Sequence, residues 1–323
     1  MFYSIKRYDE SLFIVYTCNS TGGGLIGVIF YETASGKINA IEFEAEKPTS
    51  DTLLCIHGFC CDARIFTYIG RKLSASGYNV VSIDLPGHNM SDGKKGELDF
   101  DACIKSLHQI ILRLKKRSAR VFILAHSMGC IFSLWYAHLF KASIDGLILL
   151  CPHVRVPHMK RRYDAEPDIV KFFLLFFARI FTPNKRLNII EDFPAYVKAG
   201  GDEVAWMMKD SQVNFRYSYR FVVDILGMRN SKISQLSDVG NIPVLILHGR
   251  KDRMMYPQVS EKFFRLLNTD MKEIKIFDCD HWFYDAIFYN QSFSRHREES
   301  RMQIISCIAD WLIWIDRRRR RRS

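Results

Sequence analysis

The sequence predicts an α/β fold: a mainly parallel sheet covered by helices on both faces, interrupted by one helical insertion. Three observations predict it. From residue 50 onward, six short runs rich in Val, Ile and Leu alternate with helix-length segments. Those runs are nearly continuous in apolar residues, as expected of strands buried on both faces rather than on one. Between about 152 and 241 the rhythm stops, and the chain is helical in texture and rich in Phe, Tyr, Met, Lys and Arg. A chain of 323 residues is long enough to bury a substantial core.

Taken in order, the first 47 residues read as an antiparallel opening. Runs at 12–18, 25–31 and 38–45 are β-rich, and the segments 19–24 and 34–37, built of Asn, Ser, Thr, Gly and Lys with one Ala, supply turns between them. The six buried runs then fall at 52–56, 79–83, 120–125, 146–150, 244–247 and 273–277. Strand–helix alternation of this kind implies right-handed crossovers and a doubly wound sheet. A closing helix is expected at about 300–316, before the run Arg317–Arg322. The resulting division is a main α/β domain from 1–151 and 242–316, a helical cap at 152–241, and a disordered tail at 317–323.

Composition narrows the possible partners. The net charge is +11, but six of those charges sit in the terminal arginine run, so the rest is only mildly basic and gives no reason to expect specific nucleic-acid binding. The nine cysteines have no metal-ligand spacing and several lie in apolar runs, which predicts buried, reduced thiols. The N-terminus has no long apolar core of a secretory signal, and no stretch reaches the ~20 apolar residues of a membrane span. A cytoplasmic location, free or peripheral to a membrane, is the expectation.

Four strand ends carry the chemistry. A serine hydroxyl is a poor nucleophile until a histidine takes its proton, a carboxylate orients that histidine, and donors stabilise the oxyanion. Ala125-His126-Ser127-Met128-Gly129 joins a buried run to a helix-like segment. It fits the nucleophile elbow G-x-S-x-G with Ala for the first Gly. His57-Gly58-Phe59 ends another run and suits an oxyanion loop, with the N–H groups of Phe59 and Met128 as donors. His57 itself reads as a hydrogen-bonding residue of that loop. Asp252 follows a third run and a Gly turn, and is preferred over Asp224 and Asp278 as the orienting carboxylate. His281 follows the last run and is the candidate base. The chain order Ser127, Asp252, His281 is that of α/β-hydrolases.

Together these motifs resemble the α/β-hydrolase superfamily over about residues 50–316. Asp84-Leu85-Pro86-Gly87-His88-Asn89-Met90-Ser91-Asp92-Gly93 adds a fifth match, to D-x-x-G-H-G-x-S-x-G, with Asn89 where Gly is usual; Asn tolerates the positive φ a turn needs. Within the superfamily the chain is most similar to the monoacylglycerol lipase and lysophospholipase group, often described as serine aminopeptidase-like. The resemblance implies an α/β-hydrolase fold with a mainly parallel eight-stranded sheet, and hydrolysis of lipid-like carboxylic esters through an acyl-enzyme on Ser127. It implies no metal and no cofactor. Acyl transfer, or cleavage of an amide, thioester or C–C bond, would use the same residues. A non-catalytic binding protein is the remaining alternative.

The cap should hold the specificity. Its run 168–181 is very apolar with cationic breaks, and either packs on the catalytic domain or lines an acyl pocket and dips into a lipid interface. Phe172, Phe173 and Phe176, with His57 and His126, are the candidate substrate-binding residues. Lys160-Arg161-Arg162 would suit anionic headgroups, and the arginine tail is either solvated or weakly attracted to anionic surfaces.

Overall fold

The computed structural model describes residues 14–17, 26–45, 51–159, 169–228, 232–283 and 295–320. Lys160-Arg161-Arg162 and the last of the arginines lie outside them. The strands are β1 (Ile14–Thr17), β2 (Ile26–Thr33), β3 (Gly36–Phe43), β4 (Asp51–Ile56), β5 (Asn79–Ile83), β6 (Arg120–His126), β7 (Gly146–Leu150), β8 (Arg186–Asn188), β9 (Arg216–Ser218), β10 (Val244–Gly249) and β11 (Lys272–Phe277). The helices are α1 (Thr67–Ala75), α2 (Phe100–Arg117), α3 (Gly129–Leu139), α4 (Ile169–Phe181), α5 (Ile189–Asp192), α6 (Pro194–Met207), α7 (Tyr219–Val223), α8 (Ile233–Leu236), α9 (Pro257–Leu266) and α10 (Arg295–Arg320).

The main sheet has the order β1-β2-β3-β5-β4-β6-β7-β10-β11. Its last six members, β5 to β11, pair in parallel, and β3, β2 and β1 extend it as an antiparallel edge. The fold is therefore that of an α/β hydrolase, with nine strands among the described residues rather than the expected eight. The extra member is β1, a short edge strand paired only with β2. Every residue of β4, β7 and β10 is buried, because helices cover both faces. At the far edge β11 is only half-buried.

Strand order reverses between β4 and β6. The connection after β4 crosses to β5 on one side, and the later strands are added on the other. The loops at the carboxyl ends of β4 and β6 therefore diverge and leave a crevice, which is where doubly wound sheets bind ligands. Helix α2 shows how locally the sequence specifies its elements. Asp99 caps its first turn by accepting from the Ala102 N–H at 2.9 Å, and Lys115, Lys116 and Arg117 complement the dipole in its last turn.

Between β7 and β10 lie α4 to α8 and a two-stranded antiparallel ribbon of β8 and β9. The ribbon breaks the helical texture read from the sequence. Three residues per strand are too few to leave an alternating pattern. Helix α10 begins at Arg295, earlier than expected, and runs on through Arg320. Its backbone takes in the first four arginines of the run expected to be a disordered tail. Arg318 lies over the Trp314 ring at 4.8 Å, one turn back on the same helix. Arg120 bridges Asp51 of β4 and Asp316 of α10, tying the closing helix to the sheet.

Candidate active site

The crevice gathers the strand-end residues. Ser127 stands between β6 and α3 with φ at +50°. A non-glycine residue in that region costs roughly 1–3 kcal/mol and is held only by its surroundings. Here its N–H donates to the Leu150 carbonyl at 2.8 Å, and its carbonyl accepts from Cys130 and His153. Gly129 is required by close approach. A Cβ there would lie 2.3 Å from the Ile56 carbonyl oxygen and 2.6 Å from that of His57. Ala125, at the other small position, is fully buried in β6 and is accommodated.

Asp252 and His281 meet beside this turn. His281 Nδ1 and Asp252 Oδ2 are 2.7 Å apart, both residues being buried. The other carboxylate oxygen accepts from the N–H groups of Met254 and Met255, each at 2.8 Å. Burial alone would push the Asp252 carboxyl up. The partners His281 and His248 outweigh it and hold the group well below the usual carboxylate range, so it is ionised at neutral pH. The rival acids lie elsewhere: Asp224 pairs with Arg179, and Asp278 is exposed and pairs with Lys251.

His248 was not singled out by the sequence. Its Nε2 lies 3.2 Å from Asp252 Oδ2 and 2.8 Å from the Met255 carbonyl, so that nitrogen carries the proton. Its Nδ1 then accepts from the Ser260 hydroxyl at 2.6 Å. Asp252 is thus held by two imidazoles, only one of which faces the crevice. The signal was present, since His248-Gly249 ends a buried strand as His57-Gly58 does. The Cys151 thiol adds to this cluster: its sulfur lies within 4.8 Å of the ligating atoms of Asp252 and His281. The eight described cysteines are all free thiols.

Ser127 and His281 both line one cavity. Its floor is Phe59, His126, Met128, His153, Met254 and Trp282, and its roof is Ile189, Phe193, Tyr196, Ala199 and Ile225. The walls are overwhelmingly apolar. Phe59 and Met128, the expected oxyanion donors, line the same cavity as Ser127, and no described residue accepts a hydrogen bond from either amide.

The candidate substrate-binding residues divide. His126 lines the cavity; its Nε2 donates to the His281 carbonyl at 3.2 Å, which ties the His281 segment to the serine turn. Its Nδ1 is buried with no partner among the described residues. His57 does not line the cavity. Its Nδ1 donates to the Gly58 carbonyl and its Nε2 accepts from the Leu85 N–H, so both nitrogens serve the loop. Phe173 and Phe176 do not line it either. Phe173 is exposed, Phe176 packs half-buried against the core, and the side chain of Phe172 lies outside the described residues. The roof comes instead from α5, α6 and the segment after α7. The sequence could not tell which apolar cap residues turn inward, because nearly all of α4 is apolar.

Asn89 occupies its turn with φ at +38°, and its amide donates to Asp84 Oδ2 at 3.0 Å, so the fifth motif keeps its shape. No helix among the described residues is long and apolar enough to cross a membrane.

Known proteins share this arrangement of chain. The model of the family described as serine aminopeptidase, S33, matches residues 47–281. Monoglyceride lipase of Saccharomyces cerevisiae is 28% identical over 242 residues, 70% of this chain and 75% of the relative. A monoglyceride lipase homolog of Monkeypox virus is 28% identical over 214 residues, 65% of this chain and 73% of the relative. Among solved structures, a soluble variant of the yeast lipase in complex with a substrate analog superposes with a TM-score of 0.70 at 21% identity, covering 93% of this chain and 99% of that one. The monoacylglycerol lipase of Paleococcus ferrophilus does so with a TM-score of 0.67 at 21% identity, covering 85% and 99%. The structural likenesses show a common fold.

Proposed function

The chain belongs to the serine aminopeptidase S33 family of α/β hydrolases, and from that premise we propose that it cleaves carboxylic esters of lipophilic, monoacylglycerol-like or lysophospholipid-like substrates through an acyl-enzyme on Ser127. The observation that carries this reading is the 2.7 Å contact between His281 Nδ1 and an ionised Asp252, with His281 and Ser127 on one apolar cavity.

Asp252 accepts the Nδ1 proton of His281, which leaves Nε2 as the basic nitrogen. His281 takes the Ser127 proton as the hydroxyl oxygen attacks the ester carbonyl carbon. The oxyanion forms against the amides of Phe59 and Met128. The C–O bond then breaks, and His281 returns its proton to the departing alcohol. Water, deprotonated by the same histidine, attacks the acyl-enzyme and releases the fatty acid. The apolar roof suits an acyl chain, and offers no polar set for a sugar or a peptide backbone.

Helix α4 supports a lipid-facing site. Phe173, Leu174, Phe177, Ile180 and Phe181 lie on one helical face, and each is more than half exposed. Such a face fits the surface of an aggregated lipid, from which the substrate would be drawn. The direct assay uses p-nitrophenyl esters from C2 to C16 and a monoacylglycerol emulsion, with wild type and Ser127→Ala. Medium or long chains should be preferred, and the variant should lose roughly a thousandfold or more in kcat. Undiminished hydrolysis by the variant would overturn the assignment of the nucleophile.

A further inference from the structure

The loop after β4 meets several aromatic rings of the cap, Tyr196, Tyr217 and Phe221, and Tyr217 reaches both Phe59 and Cys60. Cys60, next to the expected donor Phe59, is a buried non-glycine residue with φ at +56°. Left-handed backbone at such a residue persists only when neighbours fix it. The Cys60 N–H donates to the Tyr217 hydroxyl oxygen at 3.2 Å. The same hydroxyl donates in turn to His88 Nε2 at 3.3 Å. That direction is set by His88, whose other nitrogen donates to the Pro86 carbonyl at 3.1 Å. The Phe59 ring lies against the Tyr217 ring, with centroids 4.4 Å apart.

Tyr217 belongs to β9 of the cap ribbon, and β9 is clasped by the catalytic domain. Gly96 accepts from the Ser218 N–H at 2.9 Å. Its φ is +72°, and a Cβ there would fall 1.8 Å from the Arg216 carbonyl oxygen. Only glycine permits that approach. The ribbon is therefore seated by backbone on one side of Tyr217, and delivers a fully buried hydroxyl to the loop on the other.

We propose that Tyr217 is a positioning residue for the oxyanion hole: its hydroxyl fixes the Phe59–Cys60 peptide, and its ring fixes the Phe59 side chain, so that the Phe59 amide points at the developing charge. This rests on the reading of Ser127 as nucleophile and Phe59 as donor. The cap then does more than shape the substrate cavity. It completes the transition-state site, and a cap displaced by binding or release would loosen the hole at the same time.

The experiment is Tyr217→Phe, which removes one oxygen and keeps the ring. Turnover of a short p-nitrophenyl ester should fall about tenfold in kcat with KM changed less than twofold, milder than the roughly 10²–10³ that follows outright loss of an oxyanion donor. Affinity for an alkyl trifluoromethyl ketone, whose adduct on the serine carries the oxyanion, should fall in parallel, because this probe reports the hole and the ester KM does not. Val222→Ala, a buried change in the same cap segment at a residue that does not line the cavity, should lower Tm and leave kcat unchanged. If Tyr217→Phe lowers Tm but leaves kcat and ketone affinity as in wild type, or raises only KM, Tyr217 is a strut and the proposal fails. Wild-type protein that a fluorophosphonate does not label on Ser127 would instead remove the underlying reading of the site.

Discussion

Ser127 and Gly129 divide the demands of one turn between them. The serine carries the strained φ, and the glycine carries the close approach to β4. Gly129→Ala places a methyl group against two backbone oxygens that cannot move aside. It should cost about 1–3 kcal/mol of stability and most of the activity, read by thermal unfolding and ester turnover. Ala125→Gly should keep activity, since it removes one methyl group and restores the smallest residue at that position. Asp252→Asn leaves the shape of its site but offers the wrong partner to His281, and kcat should fall by roughly 10³–10⁴. The sequence exposed these residues because each stands where a buried run ends in small or charged residues. It missed His248 and the cavity roof, which depend on how chain segments far apart are brought together.

At the scale of elements, the sheet was legible because six uninterrupted apolar runs can hardly be anything but strands covered on both sides. The cap was not. Helix α4 is apolar around most of its circumference, so periodicity could not say which face turns inward, and Phe173 and Phe176, expected at the cavity, do not line it. The same helix yields a prediction. Replacing Phe173, Phe177 and Phe181 together by Ser should weaken co-sedimentation with phosphatidylcholine vesicles severalfold, and slow hydrolysis of emulsified monoacylglycerol to match. Hydrolysis of p-nitrophenyl acetate in free solution should not change. Equal vesicle binding by the variant would show that this face does not meet lipid.

For the whole molecule, buried titratable groups set the pH range of stability. Burial pushes His57 down to about 4 and His88 down to about 3, and it holds His126 well below its ordinary value. Each is neutral in the fold and takes up a proton on unfolding below about pH 6.5. Their contribution is fully present above that pH, and is lost as pH falls toward their folded values. Asp84 opposes them. Burial, with Asp62 nearby, raises it to about 6, so its contribution is present below 3.8 and is lost as pH rises through 6. Glu42, also raised by burial, acts in the same sense as Asp84, and the three histidines outweigh these two carboxyls. The melting temperature should fall steadily from pH 6.5 to pH 4, and a flat profile over that interval would contradict the burial of these imidazoles as neutral groups. His126 ends β6 beside Ser127, and His57 and His88 stand on the loops after β4 and β5, so acid should loosen these strand ends before it unfolds the sheet.

The identity of the nucleophile is tested most directly by covalent labelling. Purified protein is treated with a fluorophosphonate and digested, and the modified peptide is sequenced by mass spectrometry. The adduct should lie on Ser127 alone, form within minutes, and disappear in Ser127→Ala while that variant keeps its melting temperature. An adduct on another residue, or labelling undiminished in the variant, would contradict a serine hydrolase built on Ser127, Asp252 and His281.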